Sequence, residues 1–494
     1  MPRPADRISA ARFFAYSLVA YRIIGGVARA RGPTPAGASD AAFSVAARAS
    51  LEMPPSRPPS RLAIRADLLD FVDDPGFAVD PGPAAVRFLP DGWLLVEEQR
   101  IAAALPADQD PGAGWTRLDR RGQLLLPGFI DTHVHAPQLD VIASFGTELL
   151  DWLRTYTFPA EQRYADPAVA EAGAERFLDA LLASGVTAAA VFPTVHRISA
   201  ETLFASAQRR GMRLITGKVL MDRNSPDALR DRDVAGAERD CVDLIERWHG
   251  RDRLGYAVTP RFAPTSSDDQ LALCGRLLRD YAGRAGGLYL QTHLAENRAE
   301  VDWVRSLFPQ ARSYLDVYAR HDLLGPRSIF AHGIWLDPAD RAALAEAGAQ
   351  IAFCPSSNLF LGSGLFGWGE ADAARVAVTL ASDVGGGTSL CPLRTMADAY
   401  KAMALRGERL TAWKALYSAT RGAARALGLE HEIGHFGAGT MADFTLWHWA
   451  HGPVQQRRQD MARNLHERVF AWMLLGDERN LVASHVGGRQ MYAS

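Results

Sequence analysis

Eight short apolar runs separated by segments of helical pattern occupy the middle of this chain, and few folds can absorb so regular an alternation. In order, the runs are "LLLPGFIDTHVH", "VTAAAVFPT", "RLITGKVLMD", "LGYAVTPRF", "GLYLQTHLAE", "SIFAHGIWL", "AQIAFCPSS" and "RVAVTLASD". The segments between them carry helix signals. "PAVAEAGAERFLDALLASG" has Pro167 near its start and Gly185 after its end, where helices favour these residues. Strand then helix, eight times over, predicts an α/β chain folded as a TIM-type (β/α)8 barrel across residues 124–437.

The flanks differ. "LAIRADLLDFV" and "AAVRFLPDGWLLVEEQRIAAAL" alternate apolar and polar residues, and the Pro-Asp-Gly in the second predicts a hairpin turn. "MADFTLWHW" and "RNLVASHVGGRQMY" read as strands too, so residues 61–123 and 438–494 are expected to join in one small composite β-sandwich domain built from both chain ends. Before them, "RISAARFFAYSLVAYRIIGGVARARG" sets arginines around an apolar patch, as targeting segments do. Arg22 interrupts that patch and a Pro, Ala and Ser-rich tract follows. Residues 1–60 are therefore read as a poorly ordered extension, or as sequence upstream of a true start at Met53.

A formal net charge of -2 leaves no excess of Lys and Arg for phosphate backbones or anionic lipid, and no uninterrupted apolar segment reaches membrane-spanning length. A small-molecule partner is expected, with no nucleic acid and no membrane. Cys241, Cys274, Cys354 and Cys391 form no CxxC, which suits reduced thiols in a cytoplasm. The missing CxxC also excludes the zinc deaminase design that uses HxE and PCxxC.

The polar residues at the strand ends carry the chemistry. His133 and His135 end the first run, His293 the fifth, His332 the sixth and Asp383 the eighth. Histidines at i and i+2 of a strand share one face, here the barrel interior, so the pair can grip one ion. Alone, an HxH serves packing or hydrogen bonding as readily as a metal. Five such residues on four strand ends, all on the face where such barrels assemble their sites, point to a metal centre. "DVGGG" after Asp383 lacks the Lys-Ser or Lys-Thr of a phosphate loop and reads as a tight turn that lets backbone approach a ligand.

"PGFIDTHVH", "THLAE", "AHG" and "LASDVGGG", in this order, resemble the amidohydrolase superfamily from about Leu62 to the chain end. Within it, "THVHAPQ", "LLDWLRTYTFPAE", "GKVLMDRNSPDAL", "TPRFAPTSS", "HLAEN" and "CPSSNLFLGSG" resemble the guanine deaminase family. The resemblance implies one zinc, favoured over iron, held by His133, His135, His293 and Asp383, with His332 close to its water. Nitrogen and oxygen ligands suit zinc, which lowers the pKa of a bound water to about 7. Two-metal members commonly use a modified lysine at a strand end. Here the fourth run ends in "TPRF" and Lys218 lies inside the third, so one metal is expected.

Glu296, in "HLAE", is then the general acid and base that carries a proton to a ring nitrogen, and Asp383 takes a proton from the attacking water. A surface carboxylate opening the next helix is the plain alternative for Glu296. Gln138, Arg261 and Phe262 are the expected substrate contacts: a guanidinium suits the carbonyl of guanine and an amide suits its neighbouring donors and acceptors. Arg261 could instead serve a structural ion pair, and Phe262 the core. Trp152 and Phe158 stay unassigned. The expected reaction is hydrolytic deamination of guanine to xanthine by a homodimer. The same chemistry on another aminopurine, a pyrimidine or a triazine is the near alternative, and a non-catalytic barrel scaffold the remote one.

Overall fold

The structure, a computed structural model, describes residues 60–494 except residue 147. The reading of the amino-terminal extension lies outside the described residues. Four strands open the chain: β1 (Arg61–Phe71), β2 (Val86–Glu97), β3 (Arg100–Leu105) and β4 (Thr116–Pro127). The barrel strands follow as β5 (Phe129–His135), β6 (Val186–Phe192), β7 (Arg213–Thr216), β8 (Val219–Leu220), β9 (Leu254–Pro260), β10 (Tyr289–Leu294), β11 (Ser328–His332), β12 (Gln350–Phe353) and β13 (Ala377–Leu380). Last come β14 (Phe444–His448), β15 (Leu481–Val486) and β16 (Arg489–Ala493).

Strands from the two chain ends form one sheet in the order β16-β15-β14-β4-β1-β2-β3, joined where β14 runs antiparallel to β4. Two details depart from the sequence reading. Pro90-Asp91-Gly92 is no hairpin turn: β2 runs straight through it, the register against β1 slips between Ala66 and Leu68, and the β2–β3 turn falls at Glu98 and Gln99. Pairing with a long β1 outweighs a local turn preference. The run "LLLP" is not barrel either, since Leu124–Pro127 pair with β14 and the barrel begins at Phe129.

The barrel strands are parallel in the order β13-β12-β11-β10-β9-β7-β6-β5, with β8 a short second pairing onto β9. A helix follows each strand of the ring, from Pro167–Leu182 after β5 to Pro392–Leu405 after β13. Asp166 caps the first by accepting from the Ala168 N–H, with Pro167 at the next position as the sequence predicts. Strands β5, β6, β9 and β11 are buried at every residue, as a parallel sheet covered by helices requires. Ala188, Ala190, Ala257, Ala331, Ala352 and Ala381 pack with Ile130, Ile215 and Ile329 in a cluster of their own. Small side chains let the ring close tightly.

The amino-terminal end of the ring is plugged by residues 421–433. Tyr289 Oη donates to Leu427 O at 3.0 Å and Gln350 Nε2 to Ala426 O at 2.9 Å. Arg213 and Arg253, at the starts of two strands, both pair with Glu432, and Arg253 also pairs with Asp443 beside β14. Asp443 in turn accepts from Gly487 N–H at 2.9 Å, so one partly buried clasp ties barrel to sheet. Arg253→Met leaves the buried Asp443 carboxylate without its cation and should lower unfolding free energy by about 3–5 kcal/mol. Denaturant unfolding measures this; the activity per folded molecule should not change, because the clasp lies at the end of the barrel remote from His133.

Candidate metal centre and its cleft

Strand ends supply the centre. His133 and His135 project from the end of β5, and the backbone leaves β10, β11 and β13 abruptly: Ala295, His332 and Asp383 adopt φ of 47°, 72° and 49°. Left-handed conformations cost non-glycine residues about 1–3 kcal/mol each and persist where the surroundings over-determine them. Here they turn the chain inward around one point.

Four donor atoms meet there. His135 Nε2 lies 3.3 Å from His133 Nε2 and 3.2 Å from His293 Nε2. Asp383 Oδ1 lies 3.3 Å from His133 Nε2 and 3.4 Å from His135 Nε2. These four separations lie near the roughly 3.3–3.4 Å expected between donors around metal–ligand arms of about 2.0–2.1 Å, and all four donor atoms lie within 4.8 Å of one another, a spacing that a zinc-sized ion can bridge. Burial pushes the His133 and His293 imidazoles below their usual range and His135 down to about 3, leaving them neutral. Burial pushes the Asp383 carboxyl up, but the hydrogen bonds from His133 and His135 outweigh it and hold Asp383 well below the usual carboxylate range. Neutral imidazole and ionised carboxylate are the forms that ligate. His293 Nδ1 donates to Arg261 O at 2.6 Å, which leaves the Nε2 lone pair facing the centre.

A second grouping, His133, His332, Cys354 and Asp383, is also close. It fits less well, because burial pushes the Cys354 thiol well above its usual value and Sγ donates to Ala352 O at 3.3 Å. Lys218 belongs to neither: it is buried against Asp231, away from these donors.

The expected residues come together. His135, Gln138, Arg261, Phe262, His293, Glu296 and Asp383 line one cleft, while His133 and His332 are fully buried. His332 Nδ1 donates to Asn358 Oδ1 at 3.3 Å, so Nε2 presents a lone pair 3.5 Å from Glu296 Oε2 and 3.8 Å from Asp383 Oδ2. Glu296 accepts from Ser363 Oγ at 3.0 Å, and burial, with Asp383 nearby, pushes its carboxyl up to about 8. Glu296 is no surface carboxylate, since it is buried. Gly385 packs so close that an added Cβ would stand 2.6 Å from Gln138 O, and its N–H donates to Gln138 Oε1 at 3.3 Å. The glycine turn thus approaches a side chain that lines the cleft.

Trp152 lines the cleft with Leu149, Leu153 and Leu361, and Phe158 lies 5.6 Å from the Arg261 guanidinium. Sequence reasoning missed Glu161, Asn358 and Glu300. Glu161 and Asn358 stood inside quoted motifs, yet a single Glu or Asn in a helical turn carries no signal of its own.

Three imidazoles and a carboxylate converging at the carboxyl ends of a parallel barrel define a class: hydrolases that work with a bound metal. The chain belongs to the amidohydrolase family, whose profile matches residues 124–483. Over 437 residues it is 41% identical to the guanine deaminase of Escherichia coli (strain K12), spanning 87% of this chain and 97% of that one. It is 32% identical to the guanine deaminase of Homo sapiens over 383 residues, 75% of this chain and 83% of the other. The crystal structure of guanine deaminase from C. acetobutylicum with bound guanine in the active site superposes with a TM-score of 0.78 at 26% identity, covering 87% of this chain and all of that one.

Removing two of the four donors should empty the centre. After equilibration with zinc and desalting, elemental analysis should find about one metal per chain in the unaltered protein and almost none in a His133→Ala, His135→Ala double variant of unchanged circular dichroism.

Proposed function

We propose that this chain is a guanine deaminase, which adds one water to guanine and yields xanthine and ammonia. The observation that carries the reading is the cleft, in which Arg261 and Gln138 line the same space as His135, His293, Asp383 and Glu296. The similarity to guanine deaminases over most of their length supports the same reading.

The metal of this proposal is one zinc per subunit, held by His133, His135, His293 and Asp383; when bound, zinc supplies a Lewis acid that lowers the pKa of a coordinated water to about 7. The residues do the rest. Arg261 donates to the carbonyl oxygen of the base, Gln138 meets its neighbouring ring edge, and Phe262 walls the ring, which turns the amine-bearing carbon toward the ligand cluster. As the water oxygen bonds to that carbon, one water proton passes to Asp383, with the His332 Nε2 lone pair beside it. Glu296, kept protonated by burial, gives its proton to the adjacent ring nitrogen and makes the carbon a better electrophile. Asp383 passes the first proton to the departing amine, the C–N bond breaks, and Glu296 recovers a proton from the new hydroxyl. The ring nitrogen keeps its proton in xanthine, so the protons balance.

The proposal includes a homodimer, which mass in solution tests, and a cytoplasmic setting, which four buried free thiols suit. Ammonia release by zinc-loaded protein, from guanine with adenine, cytosine and a triazine in parallel, is the direct experiment. Guanine should be the preferred substrate; preference for another ring overturns the roles given to Gln138 and Arg261, and silence on all four overturns the enzyme. Glu296→Gln should keep its zinc and lose about 10²–10⁴ in kcat. A near-normal rate would remove Glu296 from the proton transfers.

A further inference from the structure

Glu161 takes no part in these proton transfers, yet it is a carboxylate with no exposed surface. A charge so deeply buried is expensive unless it is paired. Its partners are the two polar residues assigned to the base. Arg261 Nη1 donates to Oε1 at 2.9 Å and Oε2 at 3.0 Å, and Gln138 Nε2 donates to Oε1 at 3.1 Å. Phe158, one turn earlier on the same segment, lies under the guanidinium.

We propose that Glu161 is a positioning residue for substrate recognition: a buried anion that aims the Arg261 fork and fixes the Gln138 amide toward the carbonyl-bearing edge of a purine. The inference rests on the guanine reading. An amide is nearly symmetric in shape, and an unconstrained Gln138 could exchange its oxygen and nitrogen and present the wrong pattern. A carboxylate accepts only, so Nε2 must face Glu161, and Oε1 is left to accept from Gly385 N–H. Arg261 Nη1 is likewise engaged, and the guanidinium forms no other hydrogen bond among the described residues, so the rest of its fork is free for the cleft that it lines. The anchoring extends to the metal donors. Gly385 is two residues past Asp383, and the Arg261 carbonyl holds His293 Nδ1, so recognition edge and ligand cluster share one hydrogen-bonded framework.

The test is steady-state kinetics on guanine for zinc-loaded Glu161→Gln, Glu161→Asp, Arg261→Met and the Glu161→Gln, Arg261→Met double variant. Glu161→Gln should raise KM at least about tenfold while kcat stays within about threefold and zinc content is unchanged, since uniform binding is lost and not transition-state contact. Glu161→Asp should recover part of the KM. The double variant should be no worse than Arg261→Met alone, because both changes remove one shared contact. An unchanged KM, or equal loss with and without Arg261, overturns the proposal while leaving the substrate reading intact. Loss of zinc and fold in Glu161→Gln without recovery by Glu161→Asp overturns it in favour of a structural ion pair. No turnover of guanine by the unaltered protein fails the substrate reading itself.

Discussion

Two backbone hydrogen bonds close the ring. Asp383 N–H donates to His133 O and His135 N–H donates to Val384 O, each at 2.9 Å, and they join the last strand's exit to the first strand's end. Ser382 N–H strengthens the seam by donating to Asp131 Oδ1 at 3.1 Å. Everything at the centre depends on this seam. It brings a carboxylate from one end of the barrel sequence beside the two histidines from the other, in a register that leaves Asp383 Oδ1 3.3 Å from His133 Nε2 and 3.4 Å from His135 Nε2. A slip of one residue would turn one set of side chains out of the ring.

The two ends of the barrel divide the labour. At the amino-terminal end, arginines and carboxylates are fully committed to one another and to the plug, which fits a role in stability. At the carboxyl-terminal end several groups are held by one atom and free at the other. His293 and His332 each donate through Nδ1 and present Nε2, and among the described residues the Arg261 guanidinium hydrogen-bonds through Nη1. Strained backbone at Ala295, His332 and Asp383 belongs to the same end. Such groups are ready to act without reorganisation, which is where preformed sites gain their rate.

Much of this was legible in the sequence. The eight runs, the composite sheet and the convergence of His133, His135, His293, His332 and Asp383 follow from periodicity and from which residue ends each run. The errors were local signals overruled by pairing. Pro90-Asp91-Gly92 reads as a turn in isolation, but β1 offers a partner strand long enough to carry β2 through it. Leu124–Pro127 are as apolar as a barrel strand, and only the presence of β14 assigns them to the other sheet.

By itself, then, the sequence determined the order of strands and the ligand types, because side-chain period and strand-end chemistry are local properties of the chain. The tertiary structure alone decided that the ring closes at His133 and Asp383, and that Glu161 faces Arg261 across 100 residues of sequence. Nothing near Glu161 in the chain marks it as a partner. Burial strips both groups of water, and the need to compensate two desolvated charges selects the contact.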